Sequence, residues 1–75
     1  MELRVAVRDG LQDPKTHCIM KMMASYVSAT YQIRLIGMDL EGAAFEVDEA
    51  LCRKIASDVK TRFRRQLKYI EVECL

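Results

Sequence analysis

Asp9, Asp13 and His17 fall within the run DGLQDPKTH, the densest group of side chains in the chain able to do acid–base or metal chemistry. Two carboxylates and an imidazole at that spacing suit a divalent cation and a water molecule, the chemistry of a small metal-dependent nuclease or hydrolase. The same residues have a simpler use. Asp9 and Gly10 make a turn, Asp13 caps a helix whose first residue is Pro14, and His17 follows on the polar side with no partner to orient it. No catalytic residue is assigned, and the chain is expected not to be an enzyme.

Cys18, Cys52 and Cys74 are three in number and far apart, with no CxxC or HxxxH spacing near them. They are expected to be reduced thiols, with core packing a common role for cysteine, so no metal and no cofactor is implied. A second chemistry is electrostatic. The run KTRFRRQLK, residues 60–68, holds cations and no acid. On a continuous helix Arg53, Lys60, Arg64 and Lys68 lie near one meridian, where they could contact successive phosphates of a nucleic acid. Twelve basic and eleven acidic residues leave a net charge of +1, which excludes a strongly basic polyanion binder. The run also satisfies a helix dipole, with Asp48 and Glu49 at one end and Arg64, Arg65 and Lys68 at the other. The cations are therefore expected to be a solvated face, with nucleic-acid binding as the alternative.

An aspartate closing a first strand, as Asp9 does, resembles the arrangement of Cas2-like nucleases. Asp9-Gly10-Leu11-Gln12 is similar to the asparagine-glycine-leucine-histidine run of HPr-type phosphocarriers. Gln12 stands where those carriers have their phosphorylated histidine, and an amide cannot take that role. Neither resemblance extends beyond these residues, and the chain is assigned to neither family.

The elements around these groups follow from periodicity. ELRVAVR (2–8) alternates as a half-buried strand. A helix is predicted from Pro14 to about Thr30, with Ile19, Met22, Met23, Tyr26 and Val27 on its inner face. QIRLIGM (32–38) and AAFEV (43–47) read as strands joined by the turn Asp39-Leu40-Glu41-Gly42, with the glycine expected at positive φ. Asp48 begins a second helix reaching about Leu67, and YIEVEC (69–74) alternates again. The order β-α-β-β-α-β favours an α+β ferredoxin-like sandwich. It has a four-stranded antiparallel sheet with both helices on one face, strands one and three central, within a single domain spanning 1–75. RNA-recognition modules of this topology stack bases on aromatic residues of the central strands, and none is expected on the open face here.

Apolar surface is left over. Cys18 to Ala29 cover roughly 200° of the first helix, more than a single contact requires, which leaves Met20 and Met22 as a candidate patch. On the open sheet face Ile36, Met38, Tyr69 and Leu75 share the parity of Ala6 and Ala44 and ring a centre of small residues. A domain of this size buries only about 60% of its unfolded surface and gains from a partner. The expected function is therefore a non-enzymatic interaction or regulatory module, a homodimer or a partner of another protein, contacting through Ile36, Met38, Tyr69, Leu75, Met20 and Met22. No apolar run reaches the roughly 20 residues of a membrane helix, and residues 1–8 are charged and alternating, so a cytoplasmic location is expected.

Overall fold

The computed structural model describes all 75 residues. Strand β1 (Glu2–Val7) leads to helix α1 (Pro14–Tyr31), strands β2 (Arg34–Met38) and β3 (Gly42–Glu46), helix α2 (Glu49–Arg62), a 3-10 segment (Arg64–Lys68) and strand β4 (Ile70–Cys74). The sheet is antiparallel throughout, ordered β2-β3-β1-β4, an α+β arrangement compatible with a ferredoxin-like sandwich. Both central strands are those expected from the sequence.

One parity of β1, β3 and β4 points into the core: Leu3, Val5 and Val7 on β1, Ala43 and Phe45 on β3, Ile70 and Val72 on β4. Both helices lay their apolar stripes on that side, α1 over β1 and β3 and α2 over β4 and β1. The other side of the sheet is bare. Local signals set the helix starts. Asp13 accepts the Thr16 amide at 2.8 Å ahead of Pro14, and Asp48 accepts that of Leu51 at 2.8 Å. Each carboxylate satisfies an amide the helix cannot.

Four expectations change. Helix α1 turns Met20, Met23, Ala24 and Val27 inward, so Met20 is 0% exposed and contributes no surface patch, whereas Met22 is exposed. The broad apolar arc of this helix holds two overlapping stripes, and packing on the sheet selects one of them. Helix α2 stops at Arg62 and tightens into the 3-10 segment instead of running on to Leu67. Gly42 does not have positive φ; the one glycine that does is Gly10. Gly42 begins β3, and an added Cβ there would lie 2.9 Å from the Val5 carbonyl oxygen and 3.0 Å from the Ala6 Cβ. The β2–β3 turn is held by the Asp39 side chain, which accepts the amides of Glu41 at 2.8 Å and Gly42 at 3.0 Å. Those two donors hold its carboxyl below the ordinary range. Finally, the three cysteines are not all free: Cys52 and Cys74 form a disulfide, and Cys18 is exposed and unpaired.

Candidate interaction surface

Strand β2 is the outer edge farthest from the helices, and every one of its five residues is exposed. Its pairing with β3 is irregular. Leu35 lies opposite Phe45 and Gly37 opposite Ala44, so Ile36 is an extra residue between them. A bulge of this kind breaks the alternation of faces. Met38 thereby sits opposite Ala43, a core position, and not in line with Ala6 and Ala44 as strict alternation requires. Ile36, 52% exposed, lines a shallow concavity of about 260 Å³ beside Gly37, Ala44, Arg4 and Glu2, and Met38 lies along its rim.

The apolar ring expected on that face is two separate patches. Ile36 and Met38 belong to β2, while Tyr69 and Leu75 flank the two ends of β4, three strand spacings or roughly 14 Å across the sheet. Tyr69 is half-buried, with the Lys68 ammonium 5.2 Å from its ring centre, and Leu75 is exposed at the far end. Two residues that the sequence did not single out join Ile36 and Met38. Leu35, inward by parity, has no helix over it, and Leu40, at the hairpin tip, is 74% exposed. The signal for Leu40 was present: a leucine at the tip of a turn has no core to reach.

The open face carries both signs of charge. Arg34 and Glu2 flank Glu46 in one row, and Arg4 lies between Ala44 and Glu73 in the next. Arg8 reaches Glu71 at 4.0 Å and donates from Nε to the Leu67 carbonyl at 2.7 Å, tying the 3-10 segment to β1. No aromatic residue lies on β1 or β3 on this side.

The proposed phosphate meridian is not continuous. Because α2 ends at Arg62, Arg64 and Lys68 lie on the 3-10 segment, where each residue advances about 120° and not 100°. Arg53 is held by Glu49 at 2.8 Å and lines a groove with Lys60, whereas Arg64 lines another with Arg62 and Arg65. Lys60, Arg64, Arg65 and Lys68 make no ion pair.

In the β1–α1 loop Asp13 is engaged as a cap, and the Thr16 amide holds its carboxyl below the ordinary range. His17 Nδ1 is buried without a partner, and its ring borders a concavity of about 290 Å³ with Gln12, Asp13, Pro14 and Leu40. No three His, Cys, Asp or Glu side chains converge as metal ligands anywhere in the chain.

A polar cluster absent from the sequence reading joins the helices. The Tyr26 and Tyr31 hydroxyls of α1 donate to Asp58 Oδ2 of α2 at 2.7 and 2.5 Å. The Arg62 guanidinium lies 3.8 Å from Asp58 Oδ1 and 4.7 Å from the Tyr26 ring centre, and Phe63 meets that ring edge-on. The Tyr31 bond, then that of Tyr26, lowers the Asp58 pKa, and the facing carboxylate pushes Tyr31 up to about 12. Both tyrosine hydroxyls of α1 are bound to one carboxylate of α2, so the cluster fastens α1 to α2.

No helix is long and apolar enough to cross a membrane. Comparison with protein-family models, with curated proteins and with solved structures returns no match.

Proposed function

We propose that this chain is a non-catalytic interaction module that pairs with a second copy of itself through β2, the hairpin beyond it and the adjoining open face. One observation carries the reading: of seven exposed large apolar residues, four (Leu35, Ile36, Met38 and Leu40) fall within one strand and its turn. Clustered apolar exposure of that kind marks an interaction surface, whereas scattered exposure does not.

Two features favour a like partner. An isologous interface must complement itself, and this face offers Arg4 and Arg34 together with Glu2, Glu46 and Glu73. A net charge of +1 gives two copies little mutual repulsion. The area is also sufficient. A stable interface takes about 800 Å² per partner, roughly one sixth of the 4843 Å² accessible surface, and the sheet side of a molecule 31 × 24 × 21 Å can supply it.

The test is light scattering across a hundredfold dilution. A dimer is expected at high micromolar concentration, converted to monomer by Ile36→Glu, whose melting temperature should match that of the unsubstituted protein diluted to monomer. A strict monomer in the unsubstituted protein refutes the homodimer.

A further inference from the structure

The Cys52–Cys74 bond is asymmetric in its surroundings. Cys52, in the first turn of α2, is 0% exposed, and its sulfur lies 3.9 Å from the Glu2 carbonyl oxygen. Cys74, at the end of β4, is only half-buried. It borders a groove of about 440 Å³ whose other walls are Arg53, Ala56, Ser57, Lys60 and Thr61. Glu49 holds Arg53, which leaves Lys60 as the unpaired cation of the groove. One residue of this bond is fully buried and the other borders an open groove lined with hydroxyls and positive charge.

We infer that Cys74 is a thiol-exchange site that accepts small anionic thiols of the glutathione type. The incoming thiolate attacks Cys74 Sγ and forms a mixed disulfide there. The Cys52–Cys74 bond breaks, and its electron pair goes to Cys52 Sγ. That sulfur takes a proton from solvent and remains beside the Glu2 carbonyl, which can accept its S–H. A second thiolate attacks the outer sulfur of the adduct, expelling Cys74 as thiolate and leaving as the symmetrical disulfide. Two electrons pass from two small thiols to the protein. The roles follow from access: exchange requires the attacked sulfur to be reachable, and Cys74 is the half-buried residue of the pair while Cys52 is fully buried.

Charge selects the reagent. A thiolate bearing carboxylates is drawn into a groove containing Lys60, whereas an aminothiol is repelled. The attraction weakens as salt shortens the screening length from about 10 Å at 0.1 M to about 3 Å at 1 M. Adduct formation at Cys74 places its bulk against α2 and releases the last strand from its covalent tie.

The experiment uses the oxidised full chain and follows loss of the disulfide with glutathione and with cysteamine at matched thiolate concentration. Glutathione is expected to react about three- to tenfold faster at low salt, with the ratio approaching one in 1 M salt. Lys60→Glu should invert the preference. Cys52→Ser in a Cys18→Ser background, treated with oxidised glutathione, should carry one adduct, mapped by mass spectrometry to Cys74. Should that variant not fold, the rate ratio of the native chain and of Lys60→Glu decides alone. Equal rates for the two reagents, a preference that survives Lys60→Glu, or an adduct on Cys52 in the native chain overturns the inference. So does recovery of both thiols free after equilibration with oxidised glutathione.

Discussion

The two edges of the sheet are finished in opposite ways. Strand β4 has Ile70 and Val72 in the core, α2 packed above it and the Cys52–Cys74 bond fastening its last residue to that helix. Its end is also paired to β1, through reciprocal Glu2 and Leu75 backbone bonds of 2.9 and 2.8 Å. Strand β2 has no buried residue and a bulge at Ile36, and α1 approaches it only at the hairpin end, where His17 and Lys21 share a groove with Met38 and Leu40. A sheet needs only enough covered strands to close its core, and a strand left outside the helix layer is held by backbone bonds and its turn alone. That strand is free for a partner. Its bulge blunts indiscriminate edge pairing while leaving the apolar side chains presented.

The largest contrast should come from the covalent tie. Closing a loop across a sequence separation of 22 residues stabilises by about 3 kcal/mol in the chain-entropy account. Reduction is therefore expected to lower the melting temperature by roughly 15 °C for a domain of this size. Ile36→Glu on the other edge, compared at a dilution where both proteins are monomeric, should move it within the range of about 0.5 kcal/mol typical of surface changes. Calorimetry on the two samples checks the pair. Equal losses would mean that β2 contributes to the monomer core after all.

Next in size is Gly42→Ala. A methyl group 2.9 Å from the Val5 carbonyl forces β3 away from β1 and should cost about 1–3 kcal/mol by denaturant titration. Because β3 carries β2, the same change should weaken self-association. A neutral Gly42→Ala would show that the two strands have room to separate.

A smaller gain is expected at the entrance to β2. Gln32 ends α1 in the left-handed region at φ 51°, where its amide bonds the Ser28 carbonyl at 3.0 Å. A side chain costs about 1 kcal/mol in that conformation, so Gln32→Gly should stabilise by up to that amount. Denaturant midpoints decide it, and a loss would mean that the glutamine side chain has a role of its own.

The helix tie gives the finest effect, visible as two pH limbs. Asp58 is depressed below its ordinary 3.8, so its contribution is present above that value and is lost as pH falls through the acid range. Tyr31 is raised from 10.0 to about 12, so its contribution is full below pH 10 and is lost as pH rises from there to about 12. Both limbs report largely the same hydrogen bond. Tyr31→Phe should remove the alkaline limb and shrink the acid one, leaving the part that Tyr26 supplies. Thermal melts across pH 2–12 test this, and an unaltered alkaline limb in Tyr31→Phe would assign it elsewhere.

How far the fold was legible depended on whether a feature is local. Alternation in ELRVAVR and YIEVEC, and aspartates at both helix starts, specify strands and caps within a few residues, and the element order then favours the sheet topology. The bulge at Ile36 was not legible, because alternation in QIRLIGM lasts only to Leu35, and in the apolar run beyond it only pairing with β3 reveals the extra residue. Of the candidate patch on α1, Met22 stays exposed and Met20 turns inward, because both lie within one wide apolar arc and packing on the sheet chooses between them. The disulfide joins distant residues and needed a topological step: a strand returning antiparallel to the preceding helix ends beside the start of that helix, which puts Cys74 next to Cys52. The Tyr26–Tyr31–Asp58 cluster likewise depends on how α1 and α2 lie against each other. Of the candidate surface, Ile36 and Met38 were found in the sequence, whereas Leu35 and Leu40 emerged only once β2 proved to have no cover.

The central claim, an open β2 edge opposite a closed β4 edge, is tested most directly by amide hydrogen exchange at two protein concentrations. Exchange at residues 34–40 should slow on going from low to high micromolar protein by more than that of β4 and α2, which gain only the global stabilisation of the folded chain. Concentration-dependent protection confined to β4 and α2, or none anywhere, would contradict the account.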